Sequence, residues 1–177
     1  MIRSDNNKIG IFGGSFDPPH SGHLKISKIA ITKLSLNKLY WCVTKKNPFK
    51  NRTLFSLSER IKKSKIITKK IKKIEVKFFN KKIKSTNTID LIKYFRTINK
   101  KNSLFLIIGS DNLINFHKWK EWKMLTELTE IVVFSRKDYD IKAKKSVTVK
   151  KVKKIIFIKN KQINISSTKI RKSYLNY

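Results

Sequence analysis

Six short apolar runs punctuate the chain, and between them apolar residues recur at helical spacing. The runs Lys8 to Phe12, Lys38 to Thr44, Ile74 to Phe79, Leu104 to Ile108, Glu130 to Ser135 and Lys154 to Ile158 are rich in isoleucine, valine, leucine and aromatics, as buried strands are. Helical periodicity covers Gly22 to Leu36, Leu57 to Lys70, Thr88 to Ile98 and Asp111 to Leu125, the last broken near His117. Strands alternating with amphipathic helices predict βαβ units, right-handed crossovers and an α/β, doubly wound parallel sheet. Ligands of such sheets bind beyond the carboxyl ends of the strands at the topological switch point, so the end of the first strand is one wall of the expected crevice. Between Asp138 and Lys154 the lysines surround Ile141, Ala143, Val147, Val149 and Val152, a pattern that suits a loop followed by an edge strand.

Length and charge narrow this picture. The chain has 177 residues, with no internal repeat and no Gly/Ser linker, so residues 1–177 read as one domain. Its single cysteine, Cys42, lies in an apolar run and reads as a buried strand residue rather than a nucleophile. The absence of any disulfide pair, leader or apolar run long enough to span a bilayer predicts a cytoplasmic location and no membrane partner. The net charge of +32 invites a nucleic-acid reading. Only six of the 43 basic residues are arginine, however, and the 37 lysines are spread over nearly every segment, which points to a compositional bias and solvated faces. No specific nucleic-acid partner is expected, whereas a positive field favours anionic substrates.

The chemistry concentrates at the first strand. Gly10 to His23 reads Gly-Ile-Phe-Gly-Gly-Ser-Phe-Asp-Pro-Pro-His-Ser-Gly-His, a strand that passes through a glycine hinge to two histidines at a helix mouth. Gly13 and Gly14 remove Cβ atoms that would keep a phosphate from the backbone, and Ser15 and Phe16 complete the turn. His20 and His23, three apart on the first helical turn, share one face beside unpaired N–H groups and the positive end of the helix dipole. Imidazole donates to phosphate in either protonation state. The same pair is also compatible with simple helix capping; metal ligation is disfavoured because two histidines and a distant cysteine make no zinc set. Two further segments carry the same ambiguity. Asp111, after the apolar run Leu104 to Ile108 and Gly109-Ser110, suits either a ribose or a helix cap, and Ser166-Ser167-Thr168 with Arg171 suits either anion binding or capping.

Gly13 to His23 resembles the G-G-[ST]-F-D-P-x-H-x-G-H signature of bacterial nicotinate-nucleotide adenylyltransferases, which share the H-x-G-H element of the nucleotidyltransferase superfamily. Ile165 to Arg171 resembles their I-S-[SA]-T-x-I-R signature, and Gly109 to Trp119 their G-x-D-x-L-x-x-F-x-x-W string. The resemblance implies a Rossmann-like, three-layer α/β/α nucleotidyltransferase fold. It also implies transfer of AMP from ATP to nicotinate mononucleotide, giving nicotinate adenine dinucleotide and pyrophosphate, with Mg²⁺ bridging phosphate oxygens. By this match His20 and His23 hold the phosphates and the developing charge, with Gly13, Gly14, Ser15 and Phe16 around ATP. Gly109 and Asp111 line the adenosine side, and Ser167, Thr168 and Arg171 grip the departing pyrophosphate.

For the pyridine nucleotide the resemblance points to Thr88, Trp119 and Lys50. Trp119 stacks on the ring, Trp122 belongs to the core, and Lys50, in Asn47-Pro48-Phe49-Lys50, reaches a phosphate. Thr88 answers to the family's Y-T-x-x-T-L segment, where Asn87 replaces the tyrosine and Leu91 the second threonine, which loosens the acceptor assignment. The rivals are therefore a related transferase acting on nicotinamide mononucleotide or phosphopantetheine and, in another class, a basic nucleic-acid-binding protein on the same fold. Only Lys172 to Tyr177 follow Arg171, a shorter tail than is usual in the family, and the oligomeric state is left open.

Overall fold

The computed structural model describes residues 7–45, 53–98, 100–160 and 165–175. The elements run β1 (Lys8–Gly14), α1 (Ser21–Lys33), β2 (Lys38–Val43), α2 (Leu57–Thr68), β3 (Ile74–Lys77), α3 (Asn80–Ile83), α4 (Thr88–Ile98), β4 (Ser103–Gly109) and α5 (Ser110–Ile114). After a 3₁₀ turn at Phe116–Lys118 come α6 (Trp122–Leu128), β5 (Glu130–Phe134), α7 (Asp140–Lys144), α8 (Val147–Lys151), β6 (Ile155–Ile158) and α9 (Ser167–Leu175). All pairings are parallel, in the order β3-β2-β1-β4-β5-β6. The expected doubly wound α/β sheet is present, and its order reverses between β1 and β4.

Strand alternation sends successive residues to opposite faces and so divides the core. Leu104, Leu106 and Ile108 of β4 join Ile9, Ile11, Ile131 and Val133 beneath Ile89, Ile92 and Phe95 of α4. Phe105 and Ile107 join Phe12, Trp41, Val132 and Phe134 on the other face, where Ala30 of α1 and Leu57 and Ile61 of α2 pack. Two covered faces make the three layers and explain why the central strands read as unbroken apolar runs. Cys42 is buried in β2, and burial pushes its thiol far above the ordinary range, as expected of a structural cysteine. Among the described residues no helix is long and apolar enough to cross a membrane.

Several local expectations change. Gly13 and Gly14 form no hinge: they continue β1, paired with Cys42 and Val43 of β2, and the left-handed residue of the turn is Phe16, at φ 46°. Helix α1 starts one residue after His20, which caps it, and ends at Lys33. β3 stops at Lys77, and the short α3 follows Phe79. Residues 138–154 hold two short helices in place of a loop and edge strand. Ser146 caps the second by accepting the Val149 N–H at 3.4 Å, while Ala143 and Thr148 are buried, so capping and packing override the strand preference of the valines. The sheet edge beyond β5 is β6 instead, and the opposite edge is β3.

Candidate active site

Where β1 and β4 diverge, a cavity of about 600 Å³ opens at their carboxyl ends. Its walls come from β1 and the following turn, the start of α1, the starts of α4 and α5, the Trp119 region, Arg136 after β5, and the start of α9. Gly13 faces it without obstruction, since a Cβ there would meet nothing within 4 Å among the described residues. The backbone is thus open to close approach even though the residue is in a strand.

The two histidines form a reciprocal cap. The Gly22 N–H donates to His20 Nδ1 at 3.1 Å, and the His20 N–H donates to His23 Nδ1 at 3.2 Å. Each Nδ1 is therefore an acceptor, which fixes the tautomer and leaves Nε2 as the proton-bearing nitrogen of each ring. The ring centroids are 3.8 Å apart. His20 is 8 % exposed, and burial, with the Arg136 charge adding to it, lowers its pKa to about 4. A neutral donor is thereby held ready at neutral pH. Behind His23, Phe16 stacks on Trp41 with centroids 4.6 Å apart, and Trp41 Nε1 donates to Ser27 Oγ, which donates to the His23 carbonyl. Packing and capping together fix the histidine pair, so capping and a site role are not alternatives here.

Asp111 sits in the first turn of α5 and makes no side-chain cap; the capping position is Gly109. Its Oδ2 accepts from Arg136 Nη1 at 2.9 Å, while Oδ1 is shielded from solvent and has no hydrogen-bond partner among the described residues. A Cβ on Gly109 would collide with that Oδ1, which accounts for the glycine. At the opposite wall Ser166 Oγ caps α9 by accepting the Lys169 N–H at 3.2 Å, and Ser167 Oγ donates to the Pro18 carbonyl at 3.0 Å.

Of the residues singled out by sequence, His20, His23, Gly13, Gly14, Ser15, Phe16, Gly109, Asp111, Ser167, Thr168, Thr88 and Trp119 all line this one cavity. Trp122 packs against the core. Arg171 does not line the cavity: its Nη1 donates to the Asp17 carbonyl at 2.6 Å and its Nη2 to Thr168 Oγ1 at 3.0 Å, tying α9 to the turn after β1. Lys50 lies outside the described residues. Sequence reasoning missed Arg136, Lys118, Lys120 and Ser85 to Asn87, all of which line the cavity. Nor does the sequence reading single out Arg60. The available signal was the scarcity of arginine: Arg60, Arg96, Arg136 and Arg171 each place a guanidinium on defined oxygens, a fork that lysine cannot reproduce.

The chain is similar to known proteins in family model, sequence and fold. Residues 11–173 match the family model described as cytidylyltransferase-like. The chain is 47 % identical over 180 residues to a protein of Pelagibacter ubique named "Probable nicotinate-nucleotide adenylyltransferase", covering 97 % of this chain and 99 % of that one. A protein of the same name from Rhizobium meliloti is 36 % identical over 129 residues, 72 % of this chain and 68 % of that one. The fold is similar to that of Plasmodium falciparum nicotinic acid mononucleotide adenylyltransferase complexed with APC. The TM-score is 0.76 at 21 % identity, with 94 % of this chain and 83 % of that one covered.

Proposed function

The chain belongs to the cytidylyltransferase-like family, and within it to the nicotinate-nucleotide adenylyltransferases; from this premise we propose that it transfers AMP from ATP to nicotinate mononucleotide. The products are nicotinate adenine dinucleotide and pyrophosphate. A phosphate oxygen of the mononucleotide attacks the α-phosphorus in line, the bond from that phosphorus to the bridging oxygen breaks, and pyrophosphate departs with the electron pair. No protein nucleophile is required, so catalysis rests on positioning and on stabilising charge.

The observation that carries this reading is the reciprocal histidine cap at the switch-point cavity, with both Nδ1 atoms engaged and His20 held neutral. The Nε2–H groups donate to phosphate oxygens as charge grows on them. The Oδ1 of Asp111, without a hydrogen-bond partner among the described residues, suits a ribose hydroxyl donor. Trp119 offers a stacking face, and Thr88 opens α4 on the same cavity. Ser167 and Thr168, at the start of α9, take the leaving pyrophosphate. Arg171 contributes by holding that helix start against the turn.

Among the described residues no cluster of three or more His, Cys, Asp or Glu is built to hold a metal ion, and the Asp111 carboxylate is already paired with Arg136. A Mg²⁺ ion entering with ATP would supply charge neutralisation on the phosphates, without calling on the Asp111 Oδ2 already bound to Arg136.

Pyrophosphate release from MgATP, measured separately with nicotinate mononucleotide, nicotinamide mononucleotide and phosphopantetheine, tests the proposal. Nicotinate mononucleotide is expected to give a kcat/KM at least about tenfold above the other two, a difference of roughly 1.4 kcal/mol. Preference for either rival acceptor overturns the assignment.

A further inference from the structure

We propose that Arg60 is a positioning residue for the phosphate-binding turn, holding the carbonyls of Ser15, Thr44 and Lys45 turned back from the cavity so that N–H groups and positive charge face the incoming phosphates. The proposal rests on the reading that ATP phosphates bind at this turn. Arg60 lies in the first turn of α2 and is 1 % exposed. Its Nη1 donates to Ser15 O at 2.6 Å and to Thr44 O at 2.8 Å, its Nη2 to Lys45 O at 3.0 Å, and its Nε to Phe55 O at 3.2 Å. Three separate pieces of chain converge on one guanidinium: the turn after β1, the end of β2 and the approach to α2.

Ser15 and Thr44 line the cavity, whereas Arg60 does not. A carbonyl oxygen aimed into the cavity would repel a phosphate; one that accepts from Arg60 is aimed elsewhere. The charge of the buried guanidinium matters as well. A buried cation is costly unless paired, yet each of these four hydrogen bonds goes to a backbone carbonyl. The nearest carboxylate influence comes from Asp17, 2 % exposed, whose two oxygens accept the Leu54 and Phe55 N–H groups at 2.9 Å. The remaining positive potential lies directly behind the phosphate turn, where a bound polyphosphate would complete its pairing. Lysine, far commoner in this chain, carries the charge but not the planar fork that reaches several carbonyls at once.

Titration calorimetry with ATP and with adenosine on wild type, Arg60→Lys and Arg60→Gln tests this, with far-UV circular dichroism reporting the fold. At least one folded variant is expected to lose more than about fivefold in ATP affinity, a difference of roughly 1 kcal/mol, while adenosine affinity changes by less than about twofold. A role confined to general stability would weaken both ligands alike. A smaller loss for ATP, an equal loss for both ligands, or failure of both variants to fold overturns the proposal. The measurement reads binding and is separable from the acceptor assay: failure to use nicotinate mononucleotide would sink the functional reading alone, and wild type that does not bind ATP would sink both.

Discussion

Two of the helix mouths at the cavity, those of α1 and α9, are stabilised in opposite ways. At α1 the two signature side chains cap each other's backbone, His20 is nearly buried, and Phe16, Trp41 and Ser27 back the pair through stacking and hydrogen bonds. At α9 Ser167 and Arg171 are half-buried and Thr168 is exposed, and the helix is tied to its surroundings by Ser167 to the Pro18 carbonyl and Arg171 to the Asp17 carbonyl. The first mouth is organised from within; the second is held by the first. That asymmetry suits a reaction in which one site fixes the phosphates being joined and the other takes and then releases a leaving group. A rigid site supplies stabilisation without reorganisation, whereas a tethered element can loosen for product exit.

The largest expected break in this comparison is His23→Ala. Removing a donor aimed at developing charge lowers kcat by about 10²–10³, whereas the lost cap costs only about 1 kcal/mol of stability. Steady-state kinetics beside a denaturant melt separate the two, and near-normal turnover would remove His23 from the chemistry.

Acid provides the second break. The His20 pKa of about 4 lies below its unfolded value of 6.5, so the unfolded chain takes the proton more readily. The contribution of neutral His20 is complete above pH 6.5 and is lost as pH falls toward 4, at about 1.4 kcal/mol per pKa unit and about 3 kcal/mol in total. Wild type should lose that much more stability than His20→Asn, which keeps a good capping residue but does not titrate. Parallel pH profiles for the two proteins would show that burial does not hold His20 neutral.

The smallest effect sharpens the contrast. Arg171→Met removes the tie between α9 and the turn, and KM for ATP is expected to rise about tenfold, in line with a lost charged hydrogen bond. Amide exchange should quicken in α9 and stay unchanged in α1. Loosening of both helices together would mean that the first mouth depends on the second.

Much of this molecule was legible in the chain because buried parallel strands and close phosphate approach leave strong marks. Leu104 to Ile108 is apolar at every position because both sheet faces are covered, and Gly13, His20 and His23 stand together in sequence because one strand, turn and helix start carry them. What escaped was decided by partners without a sequence code. Arg60 and Arg171 act on carbonyl oxygens, which every residue possesses, and those carbonyls lie as far away as 45 and 154 positions along the chain. The valines of α8 read as a strand by local preference, which capping by Ser146 and packing outweigh, and the left-handed turn residue proved to be Phe16 rather than a glycine.

By itself, then, the sequence determined the alternation of elements, the parallel sheet and the phosphate signatures, since periodicity, backbone access and capping chemistry are local properties. Only the tertiary structure decided that α9 is held through Asp17 and Pro18, that Arg136 reaches Asp111, that burial with the Arg136 charge adding to it lowers the His20 pKa, and that Arg60 stands behind the turn. Those are relations between distant segments, and they arise only when the sheet brings the strand ends to one edge.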